Sequence, residues 1–216
     1  MRLAFNKIPR MLGEKVKYSN IDPEQKSVVI KSALEQLKSA RIINLVYHTH
    51  ANGLPMGAEI NEKNFKAYFL DIGLVASLLD LNILDFNNEN FNMINAGKMT
   101  EQFVAQELLQ LRELYEQPIL YYWLREKKSA AAEIDFVIPY KGSVLPVEVK
   151  AGKSGTLKSL HYFMSEKKLP IAVRFCDLPP SVTDVNFQVE SKQVKFKLLT
   201  LPFYLIGQVK RLLMSG

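Results

Sequence analysis

Apolar positions early in the chain recur at helical spacing. Val29, Ile30, Ala33, Leu34 and Leu37 lie three and four apart, while Lys26, Lys31, Glu35 and Lys38 fall largely elsewhere. Asp22-Pro23-Glu24-Gln25 reads as the start of this helix, with Asp22 as N-cap, Pro23 at the first helical position and Gln25 reaching back to the cap. The spacing predicts a helix running to about Ala40. An apolar, β-branched segment from Ile42 to Tyr47 predicts a strand, Ala51-Asn52-Gly53-Leu54-Pro55 a long turn, and Ala67 to Leu70 a second strand. A helix followed by a hairpin with a long tip is the layout of a winged helix. Leu74 to Leu79 predicts a short closing helix, and the asparagine-rich stretch from Asn82 to Asn95 a connection, with a domain boundary near Asn88.

The pattern then changes period. Phe103, Val104, Leu108, Leu111 and Leu114 form one stripe of a long helix beginning near Gly97, with Glu101 near its start. Three strands are expected at Ile119 to Leu124, Ile134 to Tyr140 and Val144 to Val149. Lys141-Gly142 is a tight-turn signal that pairs the second and third as a hairpin. A helix from Leu157 to Met164, strands from Ile171 to Cys176 and from Val194 to Leu199, and an apolar helix from about Phe203 to Leu213 complete a mixed α/β (α+β) chain.

With 216 residues and 48% hydrophobic composition, the chain has the material for a buried core. The longest apolar stretch, Tyr68 to Leu84, is broken by Asp71 and Asp80, and no signal-like apolar run follows Arg2, so no membrane role and no export are expected. One cysteine, Cys176, forms no internal disulfide, fits a reducing cytoplasm, and reads as a core residue at a strand end. The net charge of +6 favours polyanions, but no block of like charge focuses it; Lys127-Lys128 and Lys167-Lys168 read as solvated faces unless they flank a site.

The chemistry concentrates on the central hairpin. Side chains alternate along a strand, so Glu148 and Lys150 share a face, and the short turn brings Asp135 beside Glu148. Both strands are otherwise apolar, and two carboxylates and a lysine among such neighbours are costly unless a cation or a salt-bridge network compensates them. Hard divalent cations take carboxylate and carbonyl oxygens, so Asp135, Glu148 and the Val149 carbonyl would suit Mg²⁺ or Mn²⁺. Lys150 would position water or offset charge on the phosphate.

An acid on one strand followed by acid-x-lysine on the next resembles the signature of the PD-(D/E)xK nuclease superfamily. Asp135 matches the first acid, Glu148 the second, Lys150 the lysine, and Glu101 the further glutamate on the preceding helix; Ile134 stands where the motif's proline would be. Four segments carry a closer resemblance: Lys66-Ala67-Tyr68-Phe69-Leu70-Asp71-Ile72-Gly73-Leu74, Glu101-Gln102-Phe103-Val104, Glu133-Ile134-Asp135-Phe136-Val137 and Glu148-Val149-Lys150-Ala151-Gly152. They are similar to the C-terminal region of prokaryotic AAA-type ATPases that end in domain of unknown function 4143. The resemblance implies a winged-helix-like part over 1–88 and a restriction-endonuclease-like PD-(D/E)xK part over 89–216, with an ATPase domain and DNA as partners. No ATP site is expected within the chain: Gly152-Lys153-Ser154 lacks the earlier glycine of a phosphate loop, Val147 standing there. On this view Met1 begins either an expressed fragment or a shortened gene.

Several residues carry a plainer reading. Glu133 shares the face of Asp135 and serves either a metal or a solvated pair, while Glu107 lies far along its helix. His48 and His50 lack the further ligands that zinc requires, and His161 is expected to pack on a helix face. Tyr121, Tyr122 and Trp123 read as core before base-stacking residues. Lys26, Lys31, Lys38 and Lys153 are the candidate nucleic-acid contacts, against a docking role for the winged helix. Two functions stand open: a Mg²⁺- or Mn²⁺-dependent nuclease, or an inactive nucleic-acid- or protein-binding module that regulates an ATPase.

Overall fold

A computed structural model describes residues 1–81, 93–111, 119–125, 131–152, 156–189 and 192–214. The expected boundary at Asn88 lies outside these residues. The chain divides into two compact units, Met1–Tyr47 with Glu62–Ile119, and His48–Asn61 with Leu120–Gly216. Mixed α/β structure is what the alternating periodicities predict, and among the described residues no helix is long and apolar enough to cross a membrane.

The first unit holds α1 (Arg2–Lys7), α2 (Tyr18–Ile21), α3 (Ser27–Ser39), most of β1 (Ile43–Thr49) and β2 (Ile60–Phe69), α4 (Ile72–Leu78) and α5 (Met93–Gln110). Helix α3 begins at Ser27 rather than Pro23. Asp22 closes α2, and its Oδ1 accepts the Glu24 amide at 3.0 Å, a local turn that competes with helix initiation. Ile30, Ala33, Leu34 and Leu37 are buried as the spacing requires, but Val29, about 100° around the helix from Ile30, is 52% exposed. The second strand reaches back to Ile60, well before the apolar run, because polar residues 61–64 pair through their backbone while their side chains stay wet. The long helix likewise starts at Met93, four residues ahead of Gly97.

In the second unit β3 (Tyr121–Arg125), β4 (Ala132–Tyr140), β5 (Ser143–Val149), α6 (Lys158–Lys167), β6 (Ile171–Phe175), β7 (Ser181–Val189), β8 (Lys192–Leu201) and α7 (Val209–Met214) follow one another. The strand order is β3-β4-β5-β6-β8-β7; β5, β6 and β8 are mutually parallel, and the other neighbours antiparallel. The Lys141-Gly142 turn closes the β4–β5 hairpin on the Tyr140–Ser143 pair. Both turn residues have positive φ, 46° and 75°, the type I′ geometry whose twist matches that of the strands and which glycine adopts without steric cost. Strand β7, absent from the sequence expectations, pairs with β8 from Ser181–Thr200 to Val189–Lys192; its mostly exposed side chains leave little hydrophobic signature. The closing apolar stretch is a 3₁₀ turn at Phe203–Gln208 that becomes helical only at Val209.

The aromatic residues pack the unit. Tyr121, Tyr122 and Trp123 are buried, and the Phe163 ring of α6 meets Trp123 edge-on at 4.9 Å. Cys176 is buried just past β6, and burial pushes its thiol pKa up, as expected of a core cysteine. His161 stacks on Phe187 with ring centroids 4.2 Å apart.

Burial pulls the His161 pKa below its ordinary value, since the packed environment disfavours the imidazolium. The unfolded chain therefore takes up this proton first, so the contribution is fully present above about pH 6.5 and is lost as pH falls below it. Melting temperatures at pH 7.5 and 5.5 are expected to fall more for the wild type than for His161→Leu. An identical fall in both proteins refutes the assignment.

Candidate functional site

The hairpin register assembles the acid pair. Phe136 faces Val147, so Asp135 and Glu148 occupy the next positions on β4 and β5. Asp135 Oδ2 accepts the Val149 amide at 2.7 Å, and Glu148 Oε1 accepts from Lys150 Nζ at 2.6 Å. The Glu148 side chain is only 5% exposed and that of Lys150 28%, so the carboxylate is sunk in the sheet and the ammonium reaches its surface. Such a pair survives desolvation because the two charges are bonded at close range. The Lys150 amide donates to the Phe175 carbonyl at 2.9 Å, which fastens the end of β5 to β6. Asp135, Glu148 and Lys150 are thus brought together. For Val149, the group placed against Asp135 is the backbone N–H.

Two further residues stand in the same line. In the parallel ladders Glu148 is the partner of Arg174 on β6, and Arg174 that of Thr200 on β8, so their side chains project to one side. An Arg174 terminal nitrogen donates to Thr200 Oγ1 at 3.1 Å. The sequence signal for Arg174 was its position as the only charge in the apolar strand Ile-Ala-Val-Arg-Phe, but its pairing with Glu148 depends on a crossover that local pattern does not reveal.

Glu101 is held within the first unit. Its Oε1 accepts from Lys66 Nζ at 2.9 Å and from the Tyr68 hydroxyl, and the Lys66 side chain is 2% exposed. Gly13, at φ 71°, lies over the other carboxylate oxygen; a Cβ there would be 2.9 Å from Oε2. The next residue continues the clamp. Gln102 accepts the Phe69 amide at 2.8 Å and donates to the Phe69 carbonyl at 2.9 Å, imitating a neighbouring strand. Gln106 accepts the Ile72 amide at 2.8 Å, and Asp71 accepts that of Gly73, so both cap α4. Two of the segments noted in the sequence, 66–74 and 101–104, are therefore each other's partners.

The remaining candidates are distributed. Lys26, Lys31 and Lys38 are exposed on or beside α3, and Lys38 Nζ donates to the Tyr47 hydroxyl at 3.2 Å. Lys153, Lys127 and Lys128 lie outside the described residues. His48 Nε2 donates to the Leu124 carbonyl at 3.1 Å, which assigns its proton and supports a packing role. Glu59 accepts from the Asn52 amide and side chain, and these bonds lower its pKa, with His50 and Lys167 adding in the same direction. Among the described residues no group of three or more His, Cys, Asp or Glu side chains is gathered to hold a metal.

Residues 96–195 match a family model described as Domain of unknown function (DUF4143). This DUF4143 match contains Glu101, Asp135, Glu148, Lys150 and Arg174, and agrees with the corresponding part of the sequence resemblance. A second model, Domain of unknown function (DUF8612), matches residues 1–85 and contains α3 and the Lys66–Asp71 segment. No curated protein matches the chain.

Removing one partner of a buried ion pair leaves the other charge uncompensated, at a cost of about 3–5 kcal/mol. Urea denaturation of Glu101→Gln is expected to register a loss of that order through stranded Lys66. The double variant Lys66→Met/Glu101→Gln is expected to recover most of it. A double variant as unstable as the sum of the two single changes refutes the coupling.

Proposed function

We propose that the second unit carries a Mg²⁺- or Mn²⁺-dependent phosphodiesterase site that cleaves DNA, within the C-terminal part of an ATPase-type cytoplasmic protein. The observation that carries this reading is the Asp135–Val149 and Glu148–Lys150 arrangement: two acids and a lysine secured to consecutive residues at one strand end. The proposal includes a PD-(D/E)xK restriction-endonuclease-like fold for this part and a winged-helix-like fold for the amino-terminal part, with Lys26, Lys31, Lys38 and Lys153 as the contacts to DNA.

The donor set fits a hard cation, because Asp135 and Glu148 supply carboxylate oxygens and magnesium commonly takes one or two of these together with water and substrate phosphate. When bound, the cation would polarise the phosphate and lower the pKa of attacking water. Asp135, anchored by the Val149 amide, fixes the direction of the first donor, and Glu148 that of the second. Lys150 balances Glu148 before substrate arrives and has the exposure to offer its protons to water or to a phosphate oxygen. Glu101 has a different task in this reading: through Lys66 and Tyr68 it stabilises the first unit.

The same ion pair also favours a second reading. A lysine closed on its glutamate at 2.6 Å is what an inactive nucleic-acid- or protein-binding module that regulates an ATPase would retain for stability alone.

With Mn²⁺, cleavage of plasmid or single-stranded DNA is expected from the wild type, to vanish with chelator, and to fall at least a hundredfold in Asp135→Asn, Glu148→Gln and Lys150→Ala. Undiminished cleavage by the purified variants identifies a contaminant.

Melting curves separate the two readings without turnover. A working site is expected to melt higher with Mn²⁺, through native-state binding, and to lose this rise in Asp135→Asn while the metal-free variant stays near wild type. A metal-insensitive wild type with a destabilised Asp135→Asn selects the binding module.

A further inference from the structure

The line of polar side chains across the second unit has a direction. Acids stand on β4 and β5, a guanidinium on β6 and a hydroxyl on β8, with Glu148, Arg174 and Thr200 as successive register partners. Adjacent strands are about 4.8 Å apart, so the guanidinium lies one strand beyond the acid pair, within the span of a single phosphodiester group and its neighbour. Arg174 is the only charged residue of β6. One terminal nitrogen bonds Thr200, a hydrogen bond also joins the guanidinium to the Cys176 thiol, and its buried Nε makes no hydrogen bond among the described residues. A buried donor left in this condition costs stability unless a ligand or water meets it. The residue as a whole is half-buried rather than enclosed.

The geometry points to Arg174 as the phosphate-binding residue of this site, seated by Thr200 and receiving the phosphate group that flanks the one presented to Asp135 and Glu148. This rests on the phosphodiesterase reading for the identity of the substrate, a nucleic-acid backbone, and on the register for the position. Lys150, bonded to Glu148, stands at the acid pair and serves the phosphate presented there, not the one flanking it. Arginine suits the position because its planar fork, with five N–H donors, keeps donors for the anion while it also holds Thr200 and the Cys176 thiol. The acids and cations named along the line, Asp135, Glu148, Lys150 and Arg174, sum to no net charge, so an anion meets the guanidinium end of a polarised row rather than a repulsive field.

The test uses the whole chain and two probes. Fluorescence anisotropy with a short labelled duplex, in Ca²⁺ to read binding without turnover, is expected to show at least tenfold weaker binding for Arg174→Met and a salt dependence shallower by about one counterion. Arg174→Lys should keep the salt slope and recover only part of the affinity, since charge returns without the fork. In metal-free buffer, inorganic pyrophosphate is expected to raise the melting temperature of the wild type and of Arg174→Lys, and not that of Arg174→Met. Arg174→Met that is folded and binds duplex with wild-type affinity and salt slope overturns the assignment. If Arg174→Met does not fold, Arg174→Lys decides it, and wild-type affinity there overturns the fork. A wild type that binds both probes through Arg174 yet cleaves nothing with Mn²⁺ loses the nuclease reading and keeps the anion site. Cleavage that persists unchanged in Arg174→Met keeps the nuclease and removes Arg174 from it.

Discussion

A charge removed from water must find its counter-charge inside the same fold, and this constraint organises both units. Lys66 and Glu148 are each almost wholly enclosed, and each is bonded to an oppositely charged partner at under 3 Å. Isolated, either would cost several kcal/mol of desolvation. Because the partner must arrive at a defined place, the pairs constrain more than themselves. Glu101 can reach Lys66 only if α5 lies against β2 at one register. Lys150 can reach Glu148 only because residues two apart on a strand share a face.

In the first unit the constraint spreads through neighbours of the ion pair. Gly13 is needed where a side chain would collide with the Glu101 carboxylate, and Gln102 and Gln106 satisfy amides that β2 and α4 leave without strand or helix partners. The result is a buried polar network in which each member satisfies another, which makes it intolerant of single losses. A glutamate near a helix start therefore has a structural occupation here, bonded to Lys66 and Tyr68.

The second unit gathers its charges along one line of the sheet. Asp135, Glu148 and Lys150 come together on a hairpin whose buried positions are otherwise apolar, and the parallel crossover adds Arg174 and Thr200 to the line. In the proposed phosphodiesterase reading, the acids would supply oxygen ligands for a cation at one end of this line and the guanidinium anion donors at the other.

By itself the sequence determined what depends on near neighbours. The period of Ile30, Ala33, Leu34 and Leu37 specified the buried face of α3. Lys141-Gly142 specified the β4–β5 hairpin, and the hairpin specified that Asp135, Glu148 and Lys150 would meet. Local competition still misled at the Asp22 turn, where a side-chain bond to Glu24 stops one helix before the next begins. Only the tertiary structure decided the contacts between distant segments: that Glu101 belongs to Lys66 and Tyr68, that Gln102 completes the edge of Phe69, that β7 folds back on β8, and that Arg174 stands beside Glu148. The reason is the range of the forces. Strand alternation, helix period and turn geometry are set by covalent neighbours and are written in the residue order. The partner of a buried charge is chosen by which distant element packs closely enough to exclude water, and that choice exists only once the chain has folded.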